Sequence, residues 1–168
     1  IPTRPPVVCA FWRPGPEGRA FTSVATWENR GKDVAFRGET YYWSKHRNFL
    51  AMIDLPRASG EPCELAMDPD DARVRAALVA HGWSLVDPRP ISADIAAYRH
   101  YIETSRGEFT VAKDIYVRPR SGWFSDRSAC FLAAGRPVVT QETGFSERIP
   151  SGEGLLAFST PDEAAAAV

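Results

Sequence analysis

From residue 63 onward the chain alternates short apolar runs with helix-like segments, and this alternation narrows the fold more than any other feature. CELAMD (63–68) predicts a strand and PDDARVRAALVAHG (69–82) a helix. Pro69 stands near the first turn, Asp70 and Asp71 favour the positive end of the helix, and Gly82 follows the last turn. WSLVD (83–87) predicts the next strand. Ser92 is placed to cap a helix running to Ser105, with Ile95, Tyr98, Tyr101 and Ile102 at helical spacing. EFTVAKD (108–114) predicts a strand, followed by the loop YVRPRSGWFS, a helix from Asp126 to Ala134, the strands PVVTQ and LLAF, and a helix opening at Pro161. Such alternation means parallel strands joined by right-handed crossovers, so the expected class is α/β with a doubly wound, mostly parallel sheet.

Upstream the pattern is less regular. Residues 1–20 hold five prolines and two glycines, cannot be helical, and read as a linker or an irregular crossing segment, with PVVCAFW as a short strand. FTSVATW (21–27) is rich in β-branched and aromatic residues and predicts a strand that opens a domain over 21–168. Residues 28–42 read as a long loop or a hairpin. In WSKHRNFLAMI (43–53), Trp43, Phe49, Leu50 and Ile53 suit an amphipathic helix ended by Pro56. Lys45 and His46 follow a Gly-rich loop near the sheet edge, and of a role in a site and a role at the surface, the surface role is expected.

Composition excludes several classes. The 168 residues suit one domain, with 44% hydrophobic and 24% charged residues, enough for a sizeable core. Twenty Lys plus Arg against 21 Asp plus Glu give a net charge of −1, which favours neither a nucleic-acid nor an anionic-membrane partner. There is no apolar run of membrane-spanning length, so no integral membrane segment is expected. Cys9, Cys63 and Cys130 are too few and scattered for a disulfide framework or a zinc site. They read as buried free thiols in a reducing cytoplasm. His46, His81 and His100 show no metal spacing, and there is no nucleophile elbow, Walker loop or G-x-G-x-x-G after a strand. The chain begins at Ile1 without a methionine and stops at Val168 inside an alanine-rich run, and so reads as an excised piece of a longer protein.

The region from Ser121 to Glu163 carries the candidate chemistry. Ser125 is a good helix N-cap, and the first turn beyond it offers free amides and the positive dipole end, a ready phosphate site. Arg127 in that turn opposes the local dipole. A bound polyanion accounts for it, and so does a route to solvent or to a carboxylate. Asp126 is placed either to accept from sugar hydroxyls or simply to favour the dipole. Ser128 and the alanines let the helix press closely on the sheet, and Gly135 fits a left-handed position after its last turn. After the next strand, Thr143, Gly144 and Phe145 bring a hydroxyl and an unobstructed amide to the same edge. Lys113, at a strand end there, is either a phosphate ligand or a solvated charge, and Trp123 either stacks on a base or packs over the loop.

GWFSDRSACFLAAGRPVVTQETGF followed by GEGLLAFSTPDEA resembles the C-terminal domain of GT-B-fold glycosyltransferases, in a bacterial branch of family-1-type sequences. FTSVATW, YYWSKHRNFLAMIDLPR, HGWSLVDP and YIETSRGEFTVAKD extend the resemblance over nearly the whole chain. It implies the Rossmann-like C-terminal half of a two-domain enzyme, which binds a nucleotide-diphosphate sugar and faces an N-terminal domain of the same polypeptide. It also implies no metal and no other cofactor. The donor-binding residues would be Lys113, Ser121, Gly122, Trp123, Ser125, Asp126, Arg127, Ser128, Thr143, Gly144 and Phe145. The start of the helix would meet the diphosphate, with residues 143–145 beside it. Many retaining members carry two glutamates eight residues apart here, and Gly122 and Cys130 fill those places. The general base would come from the N-terminal half. Alternatives are a non-catalytic binding module on the same fold and a nucleotide-sugar epimerase.

Overall fold

The computed structural model describes residues 7–16 and 18–168. In chain order the strands are β1 (Phe21–Val24), β2 (Val34–Phe36), β3 (Glu39–Tyr41), β4 (Cys63–Ala66), β5 (Trp83–Val86), β6 (Gly107–Thr110), β7 (Val138–Gln141) and β8 (Leu155–Phe158). The helices are α1 (His46–Ala51), α2 (Leu55–Ser59), α3 (Ala72–Ala80), α4 (Pro88–Ile91), α5 (Ile95–Glu103), α6 (Asp114–Val117), α7 (Asp126–Ala133) and α8 (Pro161–Ala167). Six strands form one sheet in the order β5-β4-β1-β6-β7-β8, and every neighbouring pair is parallel. Counted along the chain this is the order 3-2-1-4-5-6, the doubly wound Rossmann-like arrangement. β2 and β3 form a separate antiparallel hairpin within residues 28–42.

Side chains alternate across the pleat, and the two faces of the sheet bury different clusters. On one face Phe109, Val111 and Val139 pack with Phe49, Met52, Leu78, Trp83 and Phe158 beneath α1, α2, α3 and α8. On the other, Val138 and Leu155 pack with Ile102 of α5 and Phe131 and Ala134 of α7. α7 ends as its sequence predicts: Gly135 takes φ +70°, and the Arg136 amide donates to the Phe131 carbonyl at 2.9 Å.

Several expectations are corrected. The segment read as the strand PVVCAFW holds a single 3-10 turn at Cys9–Phe11, and Pro6, with the rest of residues 1–6 of the expected linker, lies outside the described residues. Pro56 does not end the 43–53 helix; that helix stops at Ala51, and Pro56 sits in the first turn of α2, where a missing N–H costs nothing. Ser92 does not cap α5: it follows the last residue of α4 and its hydroxyl donates back to the Pro88 carbonyl, while Asp94 caps α5 by accepting from the Ala97 amide at 2.8 Å. An aspartate two residues closer to the apolar run is the better placed acceptor. Ile95 is accordingly 73% exposed rather than core. The 69–82 helix begins at Ala72, because Asp71 caps it. Of the three thiols expected to be buried, only Cys63 is; Cys9 is exposed and Cys130 half-buried.

Candidate functional site

In an open parallel sheet the ligand crevice lies outside the carboxyl ends of the two strands from which the chain winds in opposite directions. Here those strands are β1, whose successor β4 lies on one side, and β6, whose successor β7 lies on the other. Their last residues are Val24 and Thr110, and the principal charge cluster of the fold converges on both.

Arg127, the second residue of α7, points down against the sheet. Its Nε donates to Glu108 Oε1, Nη1 to the Val24 carbonyl at 2.9 Å, and Nη2 to the Thr110 hydroxyl at 2.8 Å. Glu108 is fully buried within β6, and its Oε2 has no hydrogen-bond partner among the described residues. Lys45, just before α1, reaches the same Thr110 hydroxyl from the opposite side, with Nζ at 3.2 Å. It is only 6% exposed. Burial and then the neighbouring Arg127 guanidinium push the Lys45 ammonium well below its usual range, with Glu108 opposing them and Lys113 reinforcing them. For Arg127, burial works against the charge, but the Coulomb and hydrogen-bond contributions of Glu108 outweigh it and raise the guanidinium further. Burial also holds the nearby Tyr98 phenol up to about 12, and burial with Asp126 holds the Cys130 thiol up to about 11. Neither ionises near neutrality.

A buried lysine of this kind gives stability a pH dependence of known sign. The unfolded chain keeps the Lys45 proton up to about pH 10.4, while the folded chain gives it up lower. The unfolded state therefore binds more protons in between, and stability rises with pH through that window. In Lys45→Met that contribution vanishes. Urea denaturation at several pH values is expected to show the variant gaining most over the parent at the lower pH and losing that gain as pH rises. A difference that does not change with pH would contradict a buried, readily deprotonated Lys45.

The structure brings the two predicted loops together. The Gly122 amide donates to the Thr143 carbonyl at 2.7 Å, and the Thr143 hydroxyl donates to the Trp123 carbonyl at 2.6 Å. Gly144 takes φ +91°, and a Cβ there would stand 3.0 Å from the Arg120 carbonyl, so this crossing admits only glycine without a backbone shift. Phe145 is buried against Phe124, with ring centroids 5.3 Å apart. Thr143 and Phe145 thus hold the loops in place through packing and hydrogen bonds, while Ser121, Gly122 and Asp126 are exposed at the rim.

Two expectations for the helix start change. Ser125 makes no capping hydrogen bond, although its carbonyl accepts from the Ala129 amide. No side chain therefore closes off the amides of the first turn. The Arg127 side chain is mostly buried, and of the readings open to it the structure shows the carboxylate partner, Glu108. Ser128 is fully buried, and its hydroxyl has no hydrogen-bond partner among the described residues. Trp123 stacks on Tyr116 at 4.7 Å and 12°. Trp43 meets Tyr116 edge-on, and the Lys113 ammonium sits 4.0 Å over the Trp43 ring. Partial burial and then Lys32 lower the Lys113 pKa. Together these residues make a half-exposed aromatic shelf beside the charge cluster.

Sequence reasoning missed Glu108 and Thr110, and the surface role expected of Lys45 is corrected by its burial. Glu108 did leave a signal, since a carboxylate in an otherwise apolar buried strand requires a cationic partner. Also missed is a cavity of about 340 Å³ at the carboxyl ends of β1 and β4, lined by Val24, Ala25, Thr26, Trp27, Asp68, Pro88 and Ser92. None of the predicted residues lines it, but it shares Val24 with the Arg127 cluster. It lies at the small end of the roughly 300–1,000 Å³ usual for ligand pockets. Among the described residues no group of three His, Cys, Asp or Glu is placed to hold a metal ion, and no helix is long and apolar enough to cross a membrane. No protein-family model matches the chain, and no curated protein matches it.

Proposed function

We propose that this chain is the donor-binding half of a GT-B-type glycosyltransferase, holding the diphosphate of a nucleotide sugar at the carboxyl ends of β1 and β6. The observation that carries this reading is the meeting of Lys45 and Arg127 on Thr110 at the crevice of a Rossmann-like sheet, directly under the uncapped first turn of α7. Oriented amides and fixed positive charge at one sheet edge are features that hold a polyanion.

In this reading the parts divide the work. Arg127, committed to Glu108, Val24 and Thr110, supplies fixed charge beneath the site and anchors α7, rather than contacting the diphosphate itself. The free amides of the first turn and the Lys45 amine face the phosphates. As the bond from the sugar to the diphosphate breaks, negative charge grows on the leaving group, and preorganised donors at that spot stabilise it more than they stabilise the intact donor. The shelf of Trp123, Tyr116 and Trp43 and the cavity beside Val24 offer apolar surfaces on either side for the base and the sugar. Acceptor and general base belong to an N-terminal half, so this chain alone binds donor and transfers little or nothing.

Amide NMR during titration with UDP, GDP, ADP and dTDP sugars tests this directly. One nucleotide series is expected to shift the amides of residues 126–128 and 143–145, and the matching nucleoside, lacking phosphates, to shift them far less. Shifts confined to other parts of the chain, or none with any nucleotide, would remove the donor-site assignment. One observation favours the non-catalytic binding module as a second reading: each of the three Arg127 guanidinium nitrogens donates to an internal partner. Nucleotide affinity at the α7 start separates the two readings.

A further inference from the structure

Lys45 stands where its charge is poorly supported. An ammonium has three hydrogens to donate, and the partner recorded for it among the described residues is a neutral hydroxyl, that of Thr110. The carboxylate of the cluster, Glu108, is engaged by Arg127. The groups facing Lys45 are Arg127 from α7, Glu108 from β6, and Lys113 from the segment that follows β6. His46 adjoins it at the start of α1, half-buried, with an unpartnered Nδ1. Two further cations against one carboxylate, in a buried position, favour the neutral amine. A diphosphate at the same edge reverses that balance, because it brings both negative charge and the acceptors the ammonium lacks.

We propose that diphosphate binding at the carboxyl ends of β1 and β6 is coupled to uptake of one proton by Lys45, so that the site acquires its full positive charge only around an anion. This rests on the donor-site reading above and adds to it a pH-sensitive element. The proton comes from solvent, binds the Nζ lone pair, and returns when the diphosphate leaves. Because linkage is reciprocal, a ligand that brings in one proton loses affinity about tenfold per pH unit once the free amine is neutral.

Calorimetric titration with UDP, GDP, ADP and dTDP at about pH 8.5, in two buffers of different ionisation enthalpy, counts the protons exchanged. At that pH the terminal phosphate, with a pKa of about 6, is already ionised, so an incoming proton goes to the protein. Net proton uptake on binding is expected in the parent and in His46→Gln, and none in Lys45→Met. Should Lys45→Met fail to fold, the Lys45 side-chain NMR resonance of the parent gives the same answer. It should titrate below the other lysines in free protein and move up when the nucleotide binds. Binding without proton uptake, or uptake that persists in Lys45→Met, overturns the coupling and leaves the donor site standing. Absence of binding by all four nucleotides overturns both.

Discussion

Glu108→Leu is expected to destabilise the protein by about 3–5 kcal/mol, the cost of leaving a buried guanidinium without its counter-charge. Arg127 cannot swing out to solvent without also giving up the Val24 carbonyl and the Thr110 hydroxyl. For a domain of this size the loss lowers the midpoint of thermal unfolding by on the order of 10 °C, a large part of a typical total stability of about 5–15 kcal/mol. Arg127→Met should cost a similar amount for the converse reason, since the fully buried Glu108 is then left alone. The double variant Glu108→Leu/Arg127→Met should regain much of the loss, because an apolar pair of similar volume removes both orphaned charges. Denaturant unfolding of the four proteins gives the coupling directly. Losses that simply add would mean that the pair does not act as a unit. Since Arg127 ties the first turn of α7 to β1, Glu108→Leu should also weaken nucleotide binding at temperatures where it remains folded.

Phe109→Ala tests the opposite face of the same strand. Phe109 is 1% exposed, stacks on Phe158 at 5.3 Å and 13°, and meets Phe49 and Trp83 at 6.4 and 6.0 Å. Removing it opens a cavity where aromatic rings from three other elements converge, at an expected cost of about 3–5 kcal/mol. The side chain points away from Glu108 and the crevice, so nucleotide affinity of the folded fraction should stay within about twofold of the parent. The two variants therefore lose similar stability and separate on binding. Equal loss of affinity in both would mean that the crevice responds to general loosening of the sheet rather than to the Arg127 anchor.

The architecture was legible because each sheet strand is a short apolar run bounded by turn residues, and each crossover helix carries its own stop signals, such as Gly135 after α7. The 3-2-1-4-5-6 order was not, since nothing in FTSV or GEFT states that these two segments lie side by side. That juxtaposition also decides the site. Lys45 was expected at the surface from its place after a Gly-rich loop, and its buried partner Thr110 lies 65 positions away. Arg127 was legible as a residue out of keeping with its helix end, and one of its expected explanations, a carboxylate, is realised by Glu108. That the loops holding residues 121–123 and 143–145 share one sheet edge was anticipated, but their direct hydrogen bonding was not. The aromatic shelf was not, because Trp43 and Tyr116 come from segments that approach only in three dimensions.

The central position of β1 has a consequence for how the chain is made. Its residue Phe21 pairs with Cys63 on one side and with Gly107 on the other, so the first sheet strand to leave the ribosome waits longest for its second neighbour. At ordinary synthesis rates that wait is on the order of ten seconds. During it the β1 edge later covered by β6 stays open, and the Val24 carbonyl lacks Arg127, which is translated later still. Incomplete chains ending before Thr110 therefore carry an open central-strand edge of the kind that templates unwanted pairing.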